Sequence, residues 1–249
     1  MRYVLLGLTL CLTLCLAASL PASAAGSGTA LSLKGDRIYL VKGSKSTPLN
    51  QDAFPAQPID DTAMRFLGVG EDTGKEYGVA AGLYIFDGDG ASVAFAPTDA
   101  AEFAADVKFS PDGKILAMDA GTWLIRSWFF YSFPDMKPMG EAGYYQPEGK
   151  PGLIWAGNKG VLVSNMAAEG HGRSCGYDPC GPVSVDYYAF AAQKVTRLLP
   201  GTDLCDFSLT GLKEDGRTVT AQELCLQSPK AWETFPENEP TKDVTTTIP

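Results

Sequence analysis

Histidine is nearly missing from this chain, with one among 249 residues. That residue, His171, lies in the stretch Glu169-Gly170-His171-Gly172-Arg173-Ser174-Cys175-Gly176-Tyr177-Asp178-Pro179-Cys180-Gly181. It has no G-x-S-x-G or comparable nucleophile setting, so a histidine-based hydrolase has no sequence support. Cys175 and Cys180 beside it lack a fourth donor at zinc spacing, and no metal is expected there. Basic residues are also scarce, 20 against 29 acidic, for a formal charge of −9. Such a surface repels phosphate backbones and anionic lipid head groups, which excludes nucleic acid as a natural partner. Helical periodicity is absent as well: beyond the N-terminus, only the alanine-rich stretch 97–105 could hold a helical turn.

What is present begins with Arg2, an apolar run from Tyr3 to Leu20, and Pro21-Ala22-Ser23-Ala24-Ala25, with small residues where an A-x-A cleavage rule places them. The reading is a secretory signal peptide over 1–24, a periplasmic or extracellular destination, and no membrane insertion after cleavage. Cys11 and Cys15 leave with it, and four cysteines remain in a compartment that permits disulfides. Cys205 and Cys225 lie ten residues either side of Asp215, the centre of a turn, so an antiparallel hairpin would set them opposite each other. The expected pairs are therefore Cys205 with Cys225, and Cys175 with Cys180.

From Ile59 onward, runs of four to eight Val, Ile, Tyr, Phe, Trp and Thr alternate with Gly, Asp, Asn and Pro punctuation, which predicts an all-β chain of hairpins. The clearest is Val107 to Asp119, two strands around Ser110-Pro111-Asp112-Gly113, where Pro111 presets φ and Asp112-Gly113 supply a side-chain bond and a left-handed residue. Phe109-Ser110 returns as Phe207-Ser208 ahead of Asp215-Gly216, 98 residues later, which suggests a period near 49. Asp87-Gly88-Asp89-Gly90 lacks the further acids and terminal Glu of a calcium loop and reads as a hairpin turn. In Trp128-Phe129-Phe130-Tyr131-Ser132-Phe133, alternation gives two apolar faces, as a strand buried between two sheets requires.

The run Phe109-Ser110-Pro111-Asp112-Gly113-Lys114 resembles the repeat of TolB-type and related WD-repeat-like β-propellers over about a dozen residues. The Gly-His and Trp-Asp marks of WD repeats are absent. The resemblance implies a small β-propeller over 29–228 with an interaction role. The expected form is four blades of four strands, the last blade closed by Arg37 to Leu49 alongside Arg217 to Leu226; five blades or an open sandwich are the alternatives. Glu76 to Ala80 is read as a strand. The segment 229–249, rich in Pro, Glu and Thr, is expected to be disordered.

In a blade, the second-to-third strand loops and the blade-to-blade links share one end of the ring. On that end the sequence groups Asp60, Asp61, Asp99, Tyr144, Tyr145, His171, Arg173, Tyr177, Asp178 and Asp203 as a face for a protein or small-molecule ligand. No cofactor and no catalytic residue is assigned. The function expected is an exported non-catalytic binding or interaction module; the alternative is a glycan hydrolase using carboxylates near the axis.

Overall fold

The computed structural model describes residues 29–35, 37–49, 56–98, 105–121, 126–145, 149–166, 174–175, 178–179, 181–234 and 240–249. The first sheet is a meander of β1 (Thr29–Lys34), β2 (Arg37–Lys42) and β3 (Lys45–Pro48). The second holds β4 (Gln57–Pro58) and β5 (Arg65–Val69), then, after helix α1 (Glu71–Tyr77), β6 (Gly82–Phe86) and β7 (Ser92–Ala96). The third holds β8 (Asp106–Phe109), β9 (Ile115–Gly121), β10 (Arg126–Ser132) and β11 (Pro138–Tyr144). In the fourth, β12 (Ile154–Trp155) and β13 (Gly160–Met166) are separated by a ribbon of β14 (Ser174–Cys175) and β15 (Asp178–Pro179) from β16 (Val183–Ala189) and β17 (Lys194–Leu199). The fifth holds β18 (Cys205–Leu212), β19 (Thr218–Cys225) and β20 (Lys242–Thr247). The chain is thus all-β, and among the described residues its five larger sheets and the β14–β15 ribbon are antiparallel throughout.

Alternation along each strand sends successive side chains to opposite faces, so each interior sheet feeds two cores. In β9, Leu116, Met118 and Ala120 pack with Phe66, Leu83 and Ile85 of the second sheet. Ile115 and Ala117 turn the other way, with Trp128 and Phe130, onto Val161, Val163, Tyr188 and Phe190 of the fourth. The aromatic run of β10 divides as expected, Phe129, Tyr131 and Phe133 serving the opposite core. Leu31, Leu33 and Ile38 join the first sheet to the second, while Leu162, Val185 and Tyr187 meet Leu209, Val219 and Ala221 between the fourth and fifth. The sheets therefore pack face to face in chain order.

Individual hydrogen bonds stitch the stack. The Ser164 carbonyl accepts from Tyr145 N at 2.8 Å, and its Oγ accepts from Leu209 N at 2.9 Å. One fully buried serine thereby touches the third, fourth and fifth sheets. Ser164→Ala strands the Leu209 N–H and is expected to cost about 1–3 kcal/mol, read as a lower urea midpoint at unchanged slope. Gly90, at φ 80°, lies where the first sheet meets the second: a Cβ there would come 1.5 Å from the Leu33 carbonyl oxygen, and Leu33 N bonds Gly90 O at 2.8 Å.

Four expectations need correction. First, Arg37 to Leu49 does not line up beside Arg217 to Leu226; β2 pairs with β1 and β3, and the outer partner of β19 is β20. Among the described residues no strand pairing joins the first sheet to the fifth. Second, the segment 229–249 is not a disordered tail throughout, because Lys242–Thr247 pairs from Thr218↔Thr247 to Glu223↔Lys242. The Val-Thr-Thr-Thr run has the β-branched content of a strand, which its Pro- and Glu-rich surroundings mask.

Third, Glu76 to Ala80 is not a strand. Glu71 and Asp72 open α1, Lys75 closes it with an i,i+4 pair to Glu71, and Gly78 at φ 67° caps it. The seven residues are too few for periodicity to register. Fourth, Phe207-Ser208 is not the structural counterpart of Phe109-Ser110. Phe207 lies within β18, and the matching turns centre on Asp112-Gly113 and Asp215-Gly216, 103 residues apart.

Those two turns use the same chemistry. Asp112 Oδ1 accepts from Ser110 Oγ at 2.7 Å and from Lys114 N at 3.1 Å, and Gly113 takes φ 68°. Asp215 accepts from the Arg217 and Thr218 amides at 2.8 Å each and from Thr218 Oγ1 at 2.5 Å. Those donors lower its pKa to about 2 from an ordinary 3.8. A depressed carboxylate stabilises the fold above its unfolded pKa and loses that contribution as pH falls through the folded value. The protection of the Thr218 amide, taken relative to its intrinsic exchange rate at each pH, is accordingly expected to fall between about pH 4 and pH 2, and Asp215→Ala to abolish that step. The adjoining hairpin sets Cys205 opposite Cys225, and the two form the disulfide expected from the sequence.

Candidate functional site

Strand β12 has two residues, whereas its counterpart β8 has four and β9 seven. The inner part of the third sheet is left without a facing strand of equal length, and a cleft of about 730 Å³ opens there. Its floor is one face of the third sheet. Asp106 and Asp119 are directly opposite on β8 and β9, and Lys108, Arg126, Trp128 and Tyr144 line the same cavity. Pro151, Gly152 and Leu153, which lead into β12, form the far wall. Trp128 Nε1 donates to the Gly152 carbonyl at 3.1 Å and so ties wall to floor.

A charged lattice organises the floor. Arg126 Nε donates to Asp119 Oδ1 at 3.0 Å, and Nη2 donates to Oδ2 at 2.5 Å, a two-pronged pair on a carboxylate that is 7% exposed. The same Nε donates to Tyr144 Oη at 2.8 Å, and the guanidinium carbon stands 5.9 Å from the Tyr144 ring centroid. The bond to Asp119 raises the Arg126 pKa above its ordinary value, against the opposing effect of burial. Burial first, and the Asp119 carboxylate second, hold the Tyr144 phenol well above the usual tyrosine range, so it stays protonated. Tyr145 is also pushed up, by burial and by the charge of Asp206. Beside this lattice, Lys108 Nζ lies 3.0 Å from Asp106 and 4.0 Å from Asp60.

Strand direction decides which expected site residues share this end. From β4 onward, the strand ends that flank the connections 70–81, 122–125, 167–182 and 226–241 lie at one end of the sheets, together with the strand ends that flank the links between sheets. Tyr144 and Tyr145 are at that end, in the cleft, and Asp203 is there too, its carbonyl accepting from Trp232 Nε1 at 2.9 Å. Asp178 belongs to the β14–β15 ribbon within the 167–182 connection. Asp60 and Asp61 are not at that end. They occupy the β4–β5 turn, at the end that also carries Asp112 and Asp87, and Asp60 Oδ2 accepts from Phe109 N at 3.2 Å. The error follows from the missed short strand β4, which makes Asp60-Asp61 an inner turn and not a link between sheets.

Asp99, His171, Arg173, Tyr177 and Cys180 lie outside the described residues, as does the segment 1–24; the Cys175–Cys180 pairing therefore lies outside them as well. The Asp106, Lys108, Asp119 and Arg126 lattice was not singled out from sequence. A signal existed in Ile115-Leu116-Ala117-Met118-Asp119-Ala120, where a lone charge falls at an inward position of an apolar strand.

No family model matches this chain, and no curated protein is similar to it. Solved structures to which it is similar include the hydrazine synthase of Kuenenia stuttgartiensis, at 13% identity and TM-score 0.41, over 82% of this chain and 62% of that one. Tricorn protease matches at 13% identity and TM-score 0.44, over 78% and 18%. TolB from Acinetobacter baumannii matches at 12% identity and TM-score 0.34, over 88% and 51%. The chain spans less than two thirds of each of these proteins. TolB and tricorn protease are β-propeller folds. With these TM-scores below 0.5, the architecture of this chain rests on the antiparallel sheets of its own described residues.

Proposed function

We propose that this chain is an exported, non-catalytic binding module, built as five blade-like sheets of a small β-propeller, whose ligand or protein partner engages the cleft end of the third and fourth sheets. The observation that carries the reading is the cleft itself: a polar cavity of about 730 Å³ whose walls are held by the Arg126–Asp119 pair and the Trp128–Gly152 bond. Preformed concave sites of ~300–1,000 Å³ with a few fixed polar groups are the usual form of ligand pockets. Export is supported by the apolar N-terminal segment with its small-residue cleavage site and by the Cys205–Cys225 disulfide.

A hydrolase is the second reading, because Asp106 and Asp119 face each other across adjacent strands in one cavity. The Arg126 fork argues against it: both Asp119 oxygens already accept from the guanidinium, so the carboxylate is poorly placed to reach a substrate.

The test is site-specific photocrosslinking with the purified protein in an envelope extract. A photoreactive residue at Tyr145 is expected to trap a ligand or partner, and one at Lys114, at the far end, to trap none. Equal capture at both positions, or none at Tyr145, would remove the cleft from consideration. Turnover of a polymer that is lost in Asp106→Asn would replace binding with catalysis.

A further inference from the structure

The chemistry of the cleft floor also restricts what can enter it, and the following step rests on the binding reading above. Among the described residues, two cations and two carboxylates line the cavity, each cation already beside a carboxylate: Arg126 on Asp119 at 3.0 Å and Lys108 with Asp106 at 3.0 Å. Asp60, 4.0 Å from Lys108 Nζ at the edge of the cavity, brings the formal sum of these charges to −1. An anion therefore gains no net Coulomb attraction there, and a ligand of either charge must displace one member of an existing pair to find a partner.

A hydroxyl group has no such conflict, since it donates one hydrogen bond and accepts others. Neighbouring hydroxyls on one molecule can donate to a carboxylate oxygen while accepting from the adjacent ammonium or guanidinium. Asp106 and Asp119 repeat that donor-beside-acceptor arrangement on two neighbouring strands. The far wall, Pro151 and Leu153, offers apolar surface for C–H groups. Trp128 is 2% exposed, so its ring does not serve as a stacking platform; recognition falls to polar groups with an apolar back wall.

We propose that the cleft takes a neutral polyhydroxylated ligand, a short uncharged saccharide, with Asp106 and Lys108 as the accessible contacts and the Asp119–Arg126–Tyr144 lattice as the rigid floor. Asp106 and Lys108 are the residues to vary. Their side chains are 45% and 34% exposed and belong to no core cluster, whereas substitutions at Asp119 or Arg126 disturb a buried pair.

The test is isothermal titration of the purified protein with maltotriose, cellotriose and N,N′-diacetylchitobiose as neutral probes. A galacturonate trimer and a glucosamine trimer serve as anionic and cationic probes. Expected are saturable binding of at least one neutral probe and less than a twofold change between 50 and 500 mM salt, because no net charge is exchanged. Lys108→Met and Asp106→Ala should each weaken it at least tenfold with an unchanged melting temperature, while Lys114→Ala at the far end should leave it intact.

Binding of a charged probe that is lost in Lys108→Met would overturn the saccharide class and leave the binding module standing. Neutral binding that survives both cleft variants would overturn the cleft as its site. No saturation by any neutral probe at 10 mM overturns the proposal outright. Release of new reducing ends during titration would instead overturn the non-catalytic reading.

Discussion

Replacing Arg126 with methionine is expected to lower the stability of this protein by about 3–5 kcal/mol, the cost of leaving a buried carboxylate without its counter-charge. The Asp119 side chain is 7% exposed and receives two hydrogen bonds from the guanidinium. In the variant it keeps its desolvation penalty and loses those donors, and Tyr144 Oη loses its Nε donor as well. The double variant Arg126→Met/Asp119→Leu should recover most of the loss, since an apolar pair of similar volume removes the penalty together with the attraction. Urea unfolding of the wild type, both singles and the double gives the coupling directly. Equal losses in the Arg126 single and in the double would mean that the pair contributes packing and not charge compensation. The cavity depends on this pair, so the singles should also disturb ligand contact at Tyr145, and with a loss of stability that the Lys108 and Asp106 variants do not share.

The second large effect lies further along the same strand, at Phe130. Phe130→Ala is expected to cost about 3–5 kcal/mol, the range for emptying a buried phenylalanine site. Phe130 is 1% exposed, stacks on Tyr188 with centroids 5.2 Å apart, and meets Phe190 edge-on at 5.1 Å. Those contacts join the third sheet to the fourth. Collapse of the void is obstructed by Gly140, whose φ of 104° brings the backbone so close to Tyr188 that a Cβ would lie 1.9 Å from Oη. Tyr188 Oη in turn donates to Met139 O at 2.7 Å, so the ring cannot swing into the space without breaking that bond. Phe130→Leu, which keeps most of the volume, should cost less than half as much. A loss under about 1 kcal/mol for the alanine would show that the two sheets repack freely.

Much of the fold is legible in the residues because the signals are local. The Ser110 to Gly113 turn, the two apolar faces of β10, and the hairpin that sets Cys205 against Cys225 each follow from steric and hydrogen-bonding rules acting over a few positions. The less legible elements are short or compositionally masked. Two-residue β4 carries no period, seven-residue α1 contains Gly74, and β20 follows a stretch dense in Pro and Glu. Gly74 is itself demanded by packing, since a Cβ would stand 2.8 Å from the Val79 carbonyl oxygen. Of the candidate site, Tyr144 and Tyr145 were reached through topology, while Asp106, Lys108, Asp119 and Arg126 were not, because a charge pair between strands leaves no spacing in the chain.

By itself, the sequence determined that this is an all-β chain of antiparallel hairpins with inward and outward faces, since alternation and turn chemistry act between neighbours along the backbone. Only the tertiary structure decided that β20 and not the N-terminal strands completes the fifth sheet, that Asp60 and Asp61 stand at the far end, and that four charges meet beneath a short strand. Those outcomes depend on which distant segments compete for the same sheet edge and on how far one strand falls short of its neighbour. Both are properties of packing between residues that the chain keeps far apart.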